Sequence, residues 1–337
     1  MKITVIGAGT WGTALAILLS SNGHNVSLVG FDEEKMNAYI RDRKTIKNLP
    51  GAVIPDSVFL TADLQKALAE GNDMIVIATA SIYVRETARA ISPYMTQGQI
   101  IVDVAKGIEE NTLFTMSEVI RSEIPCAQIA IMSGPTHAEE VSVHIPSTIV
   151  VGAKNRETAE TVRDAFMNDY FRVYTSPDVP GIELGGSLKN VIALAAGVTD
   201  GLGFGDNTKA ALITRGIAEI TRLGIAIGGR PETFAGLSGI GDLIVTCTST
   251  HSRNRNAGFL MGQGKSVKDA MKEVGQVVEG VYSAKAAYAL SQKYNVNMPI
   301  VEQVNLVLFS DKSPKEAVFD LFTRDKKTEN ENLVWEN

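Results

Sequence analysis

The stretch Ile3-Thr4-Val5-Ile6-Gly7-Ala8-Gly9-Thr10-Trp11-Gly12-Thr13-Ala14-Leu15-Ala16-Ile17-Leu18-Leu19 decides the fold. Ile3–Ile6 is a short apolar run, Gly7 to Gly12 spells G-x-G-x-x-G, and Thr13–Leu19 continues at helical spacing. Together they read as strand, glycine turn and helix. Gly7 permits the tight turn, Gly9 lets backbone approach a pyrophosphate, and Gly12 lets the helix pack close on the strand. The unpaired N–H groups of the helix's first turn then face the phosphates. Three glycines alone are weak evidence; a second strand at Val26–Val29 makes the reading a dinucleotide site. Asp32 follows that strand about 20 positions beyond Gly12, where an acidic residue takes the ribose 2′-hydroxyl of NAD. It serves equally well as a helix N-cap before Glu33.

Working outward, strand-like runs recur at Val58–Thr61, Met74–Ala78, Ile100–Asp103, Ile129–Met132, Ser147–Val151 and Arg172–Thr175. Helical patterns at Leu64–Ala69, Tyr83–Ile91, Leu113–Arg121 and Arg156–Met167 lie between them. The alternation predicts an α/β domain, a Rossmann-like, mostly parallel sheet with helices on both faces. Ligands of such sheets sit beyond the carboxyl ends of the strands. Two of those ends carry polar residues: Lys106 follows Ile100–Asp103, and Gly134 and Thr136 follow Ile129–Met132. Lys106 is placed to reach a ligand there rather than to be an ordinary surface lysine. Thr136 offers either a ligand hydroxyl or a helix N-cap.

After Pro177 and Pro180 the strand signals stop, so the dinucleotide domain is expected over residues 1–180 and an all-α domain over 181–325. Helices are expected at Ile182–Val198, Thr208–Leu223, Leu237–Thr246, Val267–Val274, Tyr282–Tyr294, Ile300–Phe309 and Pro314–Phe322. The last is announced by Ser313 as cap, Pro314 at the first helical position and Glu316 closing a capping box. Residues 326–337 read as a polar, frayed tail. In the first of these helices Lys189 and Asn190 sit among Leu184, Leu188, Val191, Ile192 and Ala195. A lysine so placed either snorkels to water or is held for a purpose. Further on, Asp242 stands just inside a glycine-rich turn. Ser252-Arg253-Asn254 then packs donors together before a helical run, either a solvated basic loop or an arrangement suited to a phosphate.

With 45% hydrophobic and 21% charged residues, the chain of 337 residues reads as a well-packed globular protein of two domains. A net charge of −6 argues against nucleic acid or an anionic membrane as a general partner. Cys126 and Cys247 form no CxxC pair and the four histidines show no ligand spacing, so no metal is expected. Lys2 and the apolar run after it resemble a secretory signal, but Gly7, Gly9, Trp11 and Gly12 break the run. No segment is apolar long enough to span a bilayer, and a cytoplasmic protein is expected.

The stretches GAGTWG, VAKGIE, SGPTHAEEV, ELGGSLKNVIALAAGVTDGLGFGDNTKAALITRGIAEITRLG, FAGLSGIGDLIVTCTSTHSRNRNAG and GQVVEGVYSAK resemble, in matching order, the soluble bacterial-type NAD(P)-dependent glycerol-3-phosphate dehydrogenases. The resemblance runs from Gly7 to about Lys285. It implies reversible hydride transfer from NADH or NADPH to dihydroxyacetone phosphate, giving sn-glycerol 3-phosphate for phospholipid synthesis, in a homodimer. It also implies Lys189 as proton donor and acceptor. Lys106, Gly134, Thr136, Asp242, Ser252, Arg253 and Asn254 then contact substrate, and Thr10, Trp11, Lys106, Ala138, Arg253, Val277 and Glu279 contact cofactor. Many members carry a basic residue where this chain has Phe31, and the change implies a weaker preference for NADP.

On that reading Lys189 needs its pKa pulled down by burial and by a second cation such as Lys106, with Asp242 acting the other way and orienting it. Two alternatives stay open. One is a related two-domain enzyme acting on a hydroxyacid or on 6-phosphogluconate, and the other is a dinucleotide sensor that turns nothing over.

Overall fold

In a computed structural model, which describes residues 1–44, 49–326, 328 and 329, eight strands form one sheet. They are β1 (Lys2–Ile6), β2 (Asn25–Val29), β3 (Phe59–Thr61), β4 (Met74–Ile77), β5 (Ile100–Asp103), β6 (Gln128–Ser133), β7 (Ser147–Ala153) and β8 (Phe171–Ser176). Their spatial order is 3-2-1-4-5-6-7-8. The first six run parallel, whereas β7 is antiparallel to β6 and parallel to β8. Beside β1 the order reverses, and the glycine turn that leaves its carboxyl end lies in the resulting crevice.

The first half also holds helices α1 (Thr10–Ser21), α2 (Glu33–Arg41), α3 (Leu64–Leu68), α4 (Val84–Ile91), α5 (Met116–Glu123), α6 (Ala138–Val141) and α7 (Arg156–Phe166). The central strands are apolar on both sides and feed two cores. Val76, Val102 and Met132 pack with Leu15, Leu18 and Phe166 on one face. Ile75, Ile77, Ile101 and Ile129 pack with Val84, Ile91 and Ile120 on the other. Successive side chains of a strand point to opposite faces, so near-continuous apolar runs are what a doubly covered sheet requires.

From residue 179 the chain is helical: α8 (Val179–Gly201), α9 (Asp206–Ile227), α10 (Pro231–Phe234), α11 (Asp242–Thr248), α12 (Arg253–Gly262), α13 (Val267–Val274), α14 (Glu279–Lys293), α15 (Pro299–Phe309) and α16 (Pro314–Phe322). Helix α8 is buried on nearly every side and is the axis of this half. Asp178 caps it, accepting the Gly181 N–H at 3.1 Å. The capping box of Ser313 and Glu316 forms as the sequence predicts.

Three sequence expectations change. The helix expected over Leu113–Arg121 begins at Met116, because Thr115 and Glu118 form a capping box and Leu113 is left-handed at φ 61°. The single helix expected over Leu237–Thr246 is a π turn (Leu237–Gly241) followed by α11, broken at Gly239 with φ −98° and ψ −106°. A Cβ at Gly239 would stand 2.1 Å from the Phe234 carbonyl oxygen, which is why the chain turns there on glycine. Helix α10 adds to those expected, α2, α6 and α12 form where the sequence offers a helix start without giving its extent, and most of the tail expected over 326–337 lies outside the described residues.

What fixes α12 against α8 is missing side chains. A Cβ at Gly197 would lie 1.9 Å from the Arg255 carbonyl oxygen, and one at Gly258 would lie 2.0 Å from that of Leu194. Gly201 and Gly262 repeat the contact one turn along, against Phe259 and Val198 at 2.2 and 2.4 Å. Backbone meets backbone, so no rotamer change relieves an added methyl. Gly197→Ala is expected to lower unfolding free energy by about 1–3 kcal/mol in denaturant melts. A variant as stable as the parent would contradict the close approach.

Candidate active site

Lys189 lies in the middle of α8, its side chain 7% exposed and that of Asp242 2%. Its ammonium donates to Asp242 Oδ1 and, at 2.6 Å, to Thr246 Oγ1. Asp242 opens α11, and its other oxygen accepts Lys106 Nζ at 2.6 Å and Ser133 Oγ at 3.4 Å. Lys106 comes from the sheet half, just past β5, and also donates to the Gly134 carbonyl at 3.1 Å. One buried carboxylate thus bridges two ammonium groups delivered by different halves of the chain.

The electrostatics follow from that geometry. Burial lowers the pKa of Lys189, Asp242 opposes the shift and Lys106 adds to it; the balance leaves the amine at about 8. Burial alone would raise Asp242, but Lys106 and Lys189 together hold it below its ordinary value. The buried lysine is held, not snorkelling.

Further residues join the cluster. Thr246 stands one turn after Asp242 and donates to the Asp242 carbonyl at 2.6 Å while receiving Lys189. Asn190 donates to the Lys106 carbonyl at 3.3 Å and accepts the Asn254 amide at 2.9 Å. Asn254 in turn accepts the Gly280 N–H at 2.8 Å. Ser252 caps α12, accepting the Arg255 N–H at 3.2 Å, and is buried. Arg253 is exposed and reaches Gln276 at 3.4 Å. Thr136 does not cap α6, a position held by His137; its hydroxyl donates to the Gly134 carbonyl at 3.2 Å. The His137 ring lies 5.8 Å from that of His251, tilted by 56°. Burial first, then Lys189, Lys106 and His251, depress its pKa to about 4.

Thr246 and His137 carry no role in the sequence, and Asn190, which stands out there beside Lys189, has its role only in the folded chain. The i to i+4 spacing of Asp242 and Thr246, which puts both on one helix face, is the signal that finds the first.

The glycine turn fits a dinucleotide. Gly7 is at φ 114°, and a Cβ there would stand 2.6 Å from the Ala78 carbonyl oxygen. A Cβ at Gly12 would stand 1.9 Å from the Gly7 carbonyl oxygen. In front of Gly9, by contrast, nothing lies within 4 Å, and Gly9 opens α1 with no side-chain cap. A tightly wound turn with open space before its middle glycine suits a pyrophosphate. Thr10 and Trp11 follow in the first turn of α1, and Ala138 starts α6, which packs on α1. Asp32 caps α2, accepting the Lys35 N–H at 2.9 Å, while Phe31 beside it is 59% exposed. Val277 precedes α14, and Glu279 begins that helix. The Glu279 carboxylate accepts the Ser81 N–H at 3.0 Å and hydroxyl at 2.5 Å, just beyond the end of β4. Phe31 and Asp32 stand just past the end of β2, at the start of α2.

Two family models match the chain, the NAD-dependent glycerol-3-phosphate dehydrogenase N-terminus over residues 2–159 and its C-terminus over residues 178–319. The glycerol-3-phosphate dehydrogenase [NAD(P)+] of Agathobacter rectalis is 58% identical over 99% of both chains. That of Fusobacterium nucleatum is 53% identical over 98% of both. The crystal structure of glycerol-3-phosphate dehydrogenase from Coxiella burnetii superposes with a TM-score of 0.92, at 35% identity, over 96% of this chain and 98% of that one.

Removing one partner from a buried ion pair leaves the other charge uncompensated. Asp242→Ala strands two cations and is expected to cost about 3–5 kcal/mol in denaturant unfolding. Lys189→Met should cost less, because Asp242 keeps Lys106. The reverse order would show that the carboxylate is not the hub.

Proposed function

The chain belongs to the NAD-dependent glycerol-3-phosphate dehydrogenase family, and from that membership we propose how its own residues divide the reaction. The enzyme is an NAD(P)-dependent oxidoreductase interconverting dihydroxyacetone phosphate and sn-glycerol 3-phosphate. Bound NAD(P)H supplies a hydride for the carbonyl carbon. Lys189 Nζ gives the carbonyl oxygen its proton, and Lys106 steadies the charge that develops there first. Asp242 holds both ammonium groups in place. The start of α12, with Ser252, Arg253 and Asn254, takes the phosphate, while Gly134 and Thr136 line the opposite wall. Remote binding of the phosphate positions the carbonyl against Lys189.

The observation that carries these roles is the buried Lys189 amine, bonded to Asp242 across from Lys106. With its pKa at about 8, it gives a proton in one direction and takes it back in the other. The test is the pH dependence of both directions with saturating cofactor. Ketone reduction needs the ammonium and should fall as pH rises through about 8, whereas alcohol oxidation needs the free amine and should rise there. Lys189→Met should abolish both while NADH still binds; retained turnover would remove Lys189 from the mechanism.

Thr10, Trp11 and the glycines of the turn hold the cofactor in this reading, with Ala138, Val277, Glu279 and Arg253 around it. NADH is the better reductant. A 2′-phosphate at the end of β2 would meet Asp32 and the first-turn acids Glu33 and Glu34, with exposed Phe31 beside them. The Lys35 amine is turned over the Tyr39 ring at 5.5 Å. A kcat/KM with NADPH equal to or above that with NADH would contradict this.

The two halves, 1–180 and 181–325, act as cofactor and substrate domains facing one cleft. We place the enzyme in the cytoplasm as a homodimer serving phospholipid synthesis, with no nucleic-acid partner. Supporting this are the net charge of −6 and the exposed Phe309, Phe319 and Phe322 on the last helices. No helix among the described residues is long and apolar enough to cross a membrane.

A further inference from the structure

The end of β6 and the loop after it, Ser133 to His137, are tied to the lysine cluster at almost every residue. Ser133 Oγ donates to Asp242 at 3.4 Å, and the Gly134 carbonyl accepts Lys106 Nζ at 3.1 Å. Thr136 Oγ1 closes on the same carbonyl at 3.2 Å, and Pro135 lies against Gly241, immediately before Asp242. His137 ends the loop, and its side chain is the exception. Its Nε2 is buried and finds no hydrogen-bond partner, the only such nitrogen among the described residues. The ring is held against His251 from the turn between α11 and α12, so it stands between the two halves, within the fields of Lys189, Lys106 and Asp242. A buried polar atom left unpaired is unfavourable unless something outside the chain completes it.

The substrate has three polar groups. Phosphate and carbonyl are met by the start of α12 and by Lys189 with Lys106; the terminal hydroxyl is left. We infer that His137 is a specificity residue, its Nε2 hydrogen-bonding the hydroxyl on the substrate's unphosphorylated carbon. The inference rests on the reaction assigned above. Burial and two neighbouring ammonium groups keep this imidazole neutral near pH 7, so it brings no charge to a phosphate. A neutral ring nitrogen, able to donate or accept according to tautomer, matches an uncharged hydroxyl.

The test compares dihydroxyacetone phosphate with hydroxyacetone phosphate, which keeps the carbonyl and the phosphate but has a methyl where the hydroxymethyl was. The parent enzyme should favour the former by roughly tenfold or more in kcat/KM. His137→Phe should remove most of that preference, lowering kcat/KM for dihydroxyacetone phosphate while leaving hydroxyacetone phosphate within about twofold. His137→Asn keeps an N–H donor and should restore part of it. Because the readout is a ratio of two substrates in one preparation, partial misfolding of a variant does not move it. Equal use of both ketones by the parent, or an equal loss on both in His137→Phe, would overturn the inference. Loss on both with unphosphorylated dihydroxyacetone spared would assign the ring to the phosphate and also overturn it. A parent enzyme that reduced neither ketone would fail the reaction itself, a separate outcome.

Discussion

A carboxylate with almost no contact with water holds two lysines apart and in place. Everything else in the structure serves to bring Lys106, Lys189 and Asp242 to one point from the end of β5, the middle of α8 and the first turn of α11. Taking three charges out of water is unfavourable, and only pairing with full hydrogen bonding makes it tolerable. Asp242 meets that demand with both oxygens, and Thr246 and Ser133 take the remaining contacts. The excess of one positive charge is the functional residue of the arrangement. It draws developing negative charge to the cluster and leaves Lys189 with a proton it can give up.

The two halves are locked by the same device used more quietly. Glu183 on α8 accepts both the N–H and the hydroxyl of Ser117 at 2.7 Å, at the start of α5. Glu279 on α14 does likewise with Ser81, just beyond the end of β4. Buried carboxylates at the N-terminal ends of helices satisfy N–H groups that have no partner within the helix, and they sit favourably in the helix dipole. Burial raises Glu183 to about 7. Close backbone approach does the rest: Gly186 has no room for a Cβ beside Ser133, and Gly280 none beside Asn190, so α8 meets both the sheet and α14 without spacers.

Much of this was legible in the sequence, and the failures have physical reasons. The glycine turn and the eight strands show because glycine spacing and short apolar runs follow local backbone rules. Lys189 shows because a charge interrupts an apolar helix, although whether it is held or snorkels is decided only by the fold. Helix α12 announces its start through Ser252, but its extent is faint because Gly258 and Gly262 face α8 where larger apolar residues would otherwise mark the period. Helix α2 buries only Met36 and Tyr39 among charged neighbours. The reversal of β7 depends on which edge accepts a strand, a tertiary choice that alternating helices and strands do not encode. Thr246, Asn190 and His137 are ordinary residue types, and their roles arise from where the folded chain puts them. Asp32 shows the limit from the other side: its capping bond to Lys35 is present, and the ribose role expected at the same position is compatible with it.

The most direct test of the cluster is to titrate the Lys189 amine itself, by NMR of isotope-labelled lysine with Lys189→Met identifying the signal. A midpoint near 8 in the parent, moving lower when Asp242→Asn removes the opposing carboxylate, is the result this structure requires. A signal titrating at or above the ordinary lysine value of 10.5 in the parent would mean that the amine is solvated, and the account of the site would fail.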